Sequence, residues 1–301
     1  MPMGKKSKKS TADVIAKRLA RQQAAAFVPR PFEGLPFETD LVSLRELVPA
    51  ATATAKLTEE YGGDDITFAT LLPAAWQAMN RQDGVLMAGL QTPHSSPDPS
   101  RDLAAAILKV KEQGPGAYAE PNSNPGEGPR LQDILDTSVP FKVTVKETFD
   151  YWLPEEVDLP EDSAFSEEQL REGLEQANQR ISPTEKLVSA EGCYWTEMAG
   201  RCYVRWAFTE PEDTVMDGLA RLHAAGENNL GGLGKYLGCF RAHGIVIPVW
   251  ELNENQTPDD VDAVLGDFAK KLHAAMEETG SLTPEQRRAK SGVVSRQLTI
   301  R

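Results

Sequence analysis

Residues 191–208 read EGCYWTEMAGRCYVRWAF, and the alternation of apolar and polar side chains on either side of Ala199–Gly200 fits a two-stranded hairpin. With Ala199–Gly200 as a two-residue turn, Trp195 lies opposite Val204 and Cys193 opposite Trp206 on one face. Tyr194 then meets Arg205, and Thr196 meets Tyr203, on the other. Further along, Val261, Val264, Leu265, Phe268, Leu272 and Met276 recur at the 3.6-residue period of a helix. Thr257 as N-cap, Pro258 at N1 and Asp260 at N3 mark its start. Hairpin strands and helices in separate stretches predict an α+β chain with small, mostly antiparallel sheets.

Residues 51–59 and 65–72 alternate as strands around the turn signal Tyr61–Gly62–Gly63–Asp64, and 83–91 is a third strand candidate. Leu103, Ile107 and Val110 form one stripe of a helix over 99–113, which Gly114–Pro115 ends. Residues 31–49 promise only one short helical turn. The Gly- and Pro-rich segment after residue 114 reads as a linker. The expected division is a basic tail and helix over 1–30, an α+β domain over 31–114, a linker over 115–129 and a second α+β domain over 130–301. In the second part a helix is expected from Asp213 to Ala225. A strand is expected around 239–252, where Pro248 marks an edge or a break. Ser166 and Thr283 are predicted caps of two further helices.

The net charge of −13 is unevenly spread. The first thirty residues carry eight bases and one acid, and the last eighteen carry five and one, so the body between them is more acidic than the whole chain. Such a body does not suit nucleic acid, whereas the tail does. Lys5, Lys6, Lys8, Lys9, Lys17, Arg18 and Arg21 are the candidate contacts to a polyanion, the last three on a helix running from Thr11 to about Ala26. No run of apolar residues is long enough to span a membrane, and the Lys-rich start lacks the apolar core of a secretory signal. Three cysteines with no CxxC pair fit a reduced, cytoplasmic protein.

The segment GENNLGGLGKYLG, 226–238, resembles a phosphate loop only in its glycines. A Walker alignment ending at Gly234–Lys235 puts Asn229 where a glycine belongs and Tyr236 where a magnesium-binding hydroxyl belongs. The loop also follows a helix, where exposed carbonyls disfavour an anion, and Gly226 reads as a left-handed C′ residue. The polar residues around it, Asn228, Asn229, Lys235, Arg241 and His243, are the candidate anion- or peptide-binding corner. Cys239 and His243 are too far apart on a strand to share a metal ion. The acidic run from Glu155 to Asp162 lacks calcium-loop spacing and reads as a solvated loop. No catalytic residue, cofactor or metal site emerges.

The segments RPFEGLP (30–36), SLRELVPAATA (43–53), GPRLQDIL (128–135), LARLHAAG (219–226), FRAHGIVIPVWEL (240–252) and LTPEQRRAKSG (282–292) together resemble an actinobacterial family of unknown function. The resemblance spans nearly all of 28–301. Many of its members begin with a Cys/His zinc motif like the tail of the preprotein translocase SecA, and some bear that label for this reason. Residues 1–30 hold no Cys or His, so the basic helix stands where that motif would be. The leading expectation is a non-catalytic cytoplasmic binding or adaptor protein whose basic segment docks on a ribosome, RNA or a protein partner. The alternatives are an enzyme with a site around Arg241 and His243, and a secretion-associated chaperone-like partner, the last implied only by the resemblance. The oligomeric state is not addressed by any of these features.

Overall fold

The computed structural model describes residues 26–122, 126–153 and 167–295. The basic tail, its helix, the acidic run and the Ser166 cap lie outside these residues. Seven α-helices and two sheets make up the described part, an α+β architecture.

The first sheet runs in the order β5-β3-β4-β2-β1-β6. Its strands are β1 (Ala51–Lys56), β2 (Asp65–Ala69), β3 (Ala78–Asn80), β4 (Leu86–Gly89), β5 (Tyr118–Ala119) and β6 (Lys142–Val145). The β1–β2 hairpin forms as expected, with Gly62 and Gly63 at positive φ in its turn. Only β2 and β4 run parallel. Three strands were expected here and six are present. The very short β3 and β5 carry too few residues to show a period, and β6 joins β1 from beyond the Gly/Pro-rich segment. The first sheet therefore draws strands from both sides of residues 120–140.

Side-chain alternation sorts this sheet between two cores. Ala53, Ile66, Phe68, Leu86 and Ala88 face helix α2 (Pro99–Gln113), which the sequence placed correctly. Met79 and Met87 face the other way, onto Phe149, Tyr151 and Trp152. Helix α3 (Leu131–Ile134) packs near α2, and α4 (Glu167–Asn178) supplies Leu174 and Ala177 to the second core.

The second sheet is antiparallel throughout, in the order β10-β11-β9-β8-β7. Here β7 is Thr184–Lys186, β8 Cys193–Met198, β9 Arg201–Trp206, β10 Gly234–Ala242 and β11 Ile245–Leu252. The β8–β9 register matches the expected one pair for pair, and Ala199 and Gly200 both adopt positive φ. One face, with Trp195, Trp206 and Trp250, is covered by α5 (Glu212–Ala224), α6 (Pro258–Glu277) and α7 (Pro284–Ser295).

The stretch 239–252 is not one strand but two, turning at His243–Gly244. Both turn residues have positive φ, at 49° and 82°. Pro248 is accordingly in an interior strand. It falls between the β11–β9 ladder over Val249–Glu251 and an isolated bridge from Val246 to Phe208, where β9 has already turned aside.

Between the sheets lies α1 (Glu38–Glu46), where only one helical turn was expected. Seven consecutive residues, Glu38 to Leu44, are buried, so this helix has no solvent face along that length. A helix covered on all sides has no amphipathic period to read. Its acids are satisfied internally: Arg30 holds Glu38 through two hydrogen bonds of 2.7 and 2.8 Å, and Lys186 and Tyr194 hold Asp40.

Candidate binding cleft

The turn between β10 and β11 brings His243 and Gly244 against the start of the described chain. A Cβ on Gly244 would stand 2.7 Å from the Pro29 carbonyl and from Arg30, so only glycine permits this approach. The Phe32 and His243 rings meet with centroids 5.4 Å apart. Beside them opens a cleft of about 530 Å³, walled by residues 27–31, the end of α1, the 92–96 loop and the β10–β11 turn. It combines apolar Phe27, Val28 and Pro93 with Arg45, Glu46, Arg241 and His243.

The charged groups of this cleft hold one another. Glu46 Oε1 lies 2.8 Å from His243 Nε2, and Arg45 Nε approaches the same nitrogen at 3.1 Å. One ring nitrogen can donate to Glu46 or accept from Arg45, not both, so the imidazole tautomer selects between them. Arg45 also donates to the Leu90 carbonyl at 2.6 Å. Burial works to raise the Glu46 pKa, but the hydrogen bond from His243, with the charges of His243 and Arg45, carries it below the usual glutamate value. Burial pushes the Arg45 pKa down, against the opposing charges of Glu46 and Asp102. Arg241 forms a two-pronged pair with Glu212, which lowers that carboxyl.

The five residues expected to form one corner are divided. Arg241 and His243 border this cleft. Asn228 is buried, and its Oδ1 accepts from Trp250 Nε1 at 3.1 Å. Asn229 caps the short turn over Leu230–Gly232 and borders a separate cavity of about 430 Å³ against α6. Lys235 pairs with Glu251 at 2.8 Å on an exposed strand. Gly226 closes α5 at φ 73°, with Gly226 N–H bonded to the His223 carbonyl and Glu227 N–H to that of Leu222. That is the Schellman arrangement expected of a C′ glycine. Glu227 and Asp267 line the adjoining cavity beside the negative end of α5, and Lys271, also in its wall, pairs with Glu227 at 3.2 Å.

Sequence reading missed Arg45, Glu46 and the 92–96 loop. A signal for the turn was present: apolar alternation flanks His243–Gly244 on both sides, and His is among the residues enriched at positive φ. Nothing local announces that residues 45 and 243 meet. Among the described residues no group of His, Cys, Asp and Glu is arranged to hold a metal ion, and no helix is long and apolar enough to cross a membrane.

Two small sheets closed on a buried helix, with an open cleft of mixed apolar and charged lining beside it, define an α+β protein. The chain belongs to the family of unknown function DUF5926, whose family model matches residues 31–301. No curated protein and no solved structure matches it.

Proposed function

We propose that this is a non-catalytic binding or adaptor protein of the cytoplasm, docked on a polyanion, RNA or the ribosome, by its basic N-terminal segment. The observation that carries this reading is one of placement. Seven cations, from Lys5 to Arg21, precede the family-matched region and lead straight into residues 27–31, which wall the open cleft. Phe27, 74% exposed, stands at that rim as an apolar contact for whatever the tail brings close. The acidic body between the two basic ends would repel a nucleic acid, and the N-terminal tail carries the larger share of the attraction.

The test is co-sedimentation with ribosomes or total RNA at low salt, comparing the full chain with one lacking residues 2–25. Loss from the pellet is expected on deletion, and an unchanged pellet fraction removes the reading. A second reading, an enzyme using Arg241 and His243, is favoured by the 2.8 Å contact between His243 and Glu46, since a carboxylate-held imidazole suits proton transfer. Equal turnover by wild type and His243→Gln across hydrolytic and transfer substrates would dispose of it.

A further inference from the structure

Arg205 lies in the middle of β9, directly opposite Tyr194. Cross-strand partners share a face, and the Tyr194 hydroxyl reaches Asp40 of α1. The Arg205 side chain is therefore on the side of the second sheet that faces α1. There its Nε is buried with no hydrogen-bond partner, and the guanidinium makes no ion pair among the described residues. Burial alone lowers its pKa, to about 10. The residue as a whole is half-buried, and a cation withdrawn that far from water without a counter-charge carries a desolvation cost that proteins ordinarily offset by pairing or hydrogen bonding.

Arg205 borders an open, shallow pocket of about 180 Å³ that Arg45, Glu46, Gln91, Ser182 and Thr196 also line. Arg45 is only 10% exposed in its side chain. Its Nε and Nη1 are taken up by His243 and the Leu90 carbonyl. The one carboxylate in the wall, Glu46, competes with Arg45 for the same His243 nitrogen and lies 3.5 Å from Arg45 Nε. The cavity is thus short of negative charge. Its volume corresponds to on the order of six waters, enough for a small anion and the first atoms attached to it.

We propose that this cavity binds a compact oxyanion, a carboxylate or phosphate head group, with Arg205 as its two-pronged ligand and Arg45 as the second cation. A planar guanidinium offering its two terminal Nη groups matches both head groups. Ser182 adds a hydroxyl at the rim. The site does not depend on the basic tail, so deleting residues 2–25 leaves it intact.

The test uses the full chain, purified without phosphate, titrated with inorganic phosphate or with succinate at constant ionic strength against chloride. Arg205→Met removes the charge and keeps the length of the side chain. In chloride, R205M is expected to melt above wild type, because it no longer holds a half-buried, unpaired cation. In wild type, at least one anion should raise the melting midpoint with the logarithm of its concentration above Kd, by roughly 5 °C at a hundred times its Kd, and R205M should lose that response. A response to phosphate alone, or to succinate alone, assigns the head group. No rise of the melting midpoint with either anion, or an undiminished rise in R205M, overturns the proposal. Should R205M fail to fold, the Arg205 Nε–H resonance of wild type decides: a saturable shift supports the site and an unmoved resonance overturns it.

Discussion

Tyr194 and Asp40 stand 154 positions apart in sequence, and the Tyr194 hydroxyl donates to Asp40 Oδ1 at 2.8 Å inside the protein. Both residues are buried, at 0% and 4% exposure, so the bond is out of reach of solvent replacement. Burial, with Asp40 beside it, holds the phenol protonated far above the usual tyrosine range. Removing the hydroxyl in Tyr194→Phe leaves a buried carboxylate oxygen short of one donor. The expected cost is about 1–3 kcal/mol, read from urea unfolding, and an unchanged midpoint would refute the importance of this link.

Gly89 ends β4 where a Cβ would stand 2.3 Å from the Trp76 carbonyl oxygen. The obstacle is backbone, so it cannot swing away, and the turn before it already holds Ala74 and Ala75 at positive φ. Gly89→Ala is expected to destabilise by about 1–3 kcal/mol through overpacking. Gly128→Ala, where a Cβ meets nothing within 4 Å, is the control and should melt with wild type.

Glu46 contributes to the acid limb of stability. Its folded pKa lies below the ordinary 4.5, so the unfolded chain takes up the proton first as pH falls. The stabilisation is present above pH 4.5 and is lost as pH drops below that value through the folded pKa. Glu46→Gln should therefore flatten the decline of melting temperature below pH 4.5, and a limb as steep as that of wild type would show that the contact carries no weight.

For the tail, salt is the diagnostic. If all seven cations from Lys5 to Arg21 contact a single-stranded RNA, the logarithm of affinity should fall against the logarithm of salt with a slope near −5. Each Lys→Gln replacement should reduce the slope by about 0.7. A salt-independent affinity would point to contacts of another kind.

What could be read from sequence was local. The β8–β9 register follows from alternation around Ala199–Gly200, and the Thr257–Asp260 capping box forms as its spacing implies. The helix α1 was underread because its two faces bury different things, and its acids look like surface residues until Arg30, Lys186 and Tyr194 are seen to hold them. The cleft escaped notice for a related reason: its walls come from residues near 30, 45, 94 and 243, and no periodicity joins segments so distant. Register placed Arg205 on the correct face but could not reveal that it lacks a partner.

The burial of α1 between the sheets bears on how the chain is made. Synthesis delivers Arg30, Asp40 and Glu46 early, yet their partners Thr209, Tyr194 and His243 emerge far later. Until β11 has left the exit tunnel, the early helix has one flank bare, and Asp40 and Glu46 lack their later partners. The helix locks only when the C-terminal half arrives, a delay during which apolar Leu41, Val42 and Leu44 are open to a chaperone or to another nascent chain.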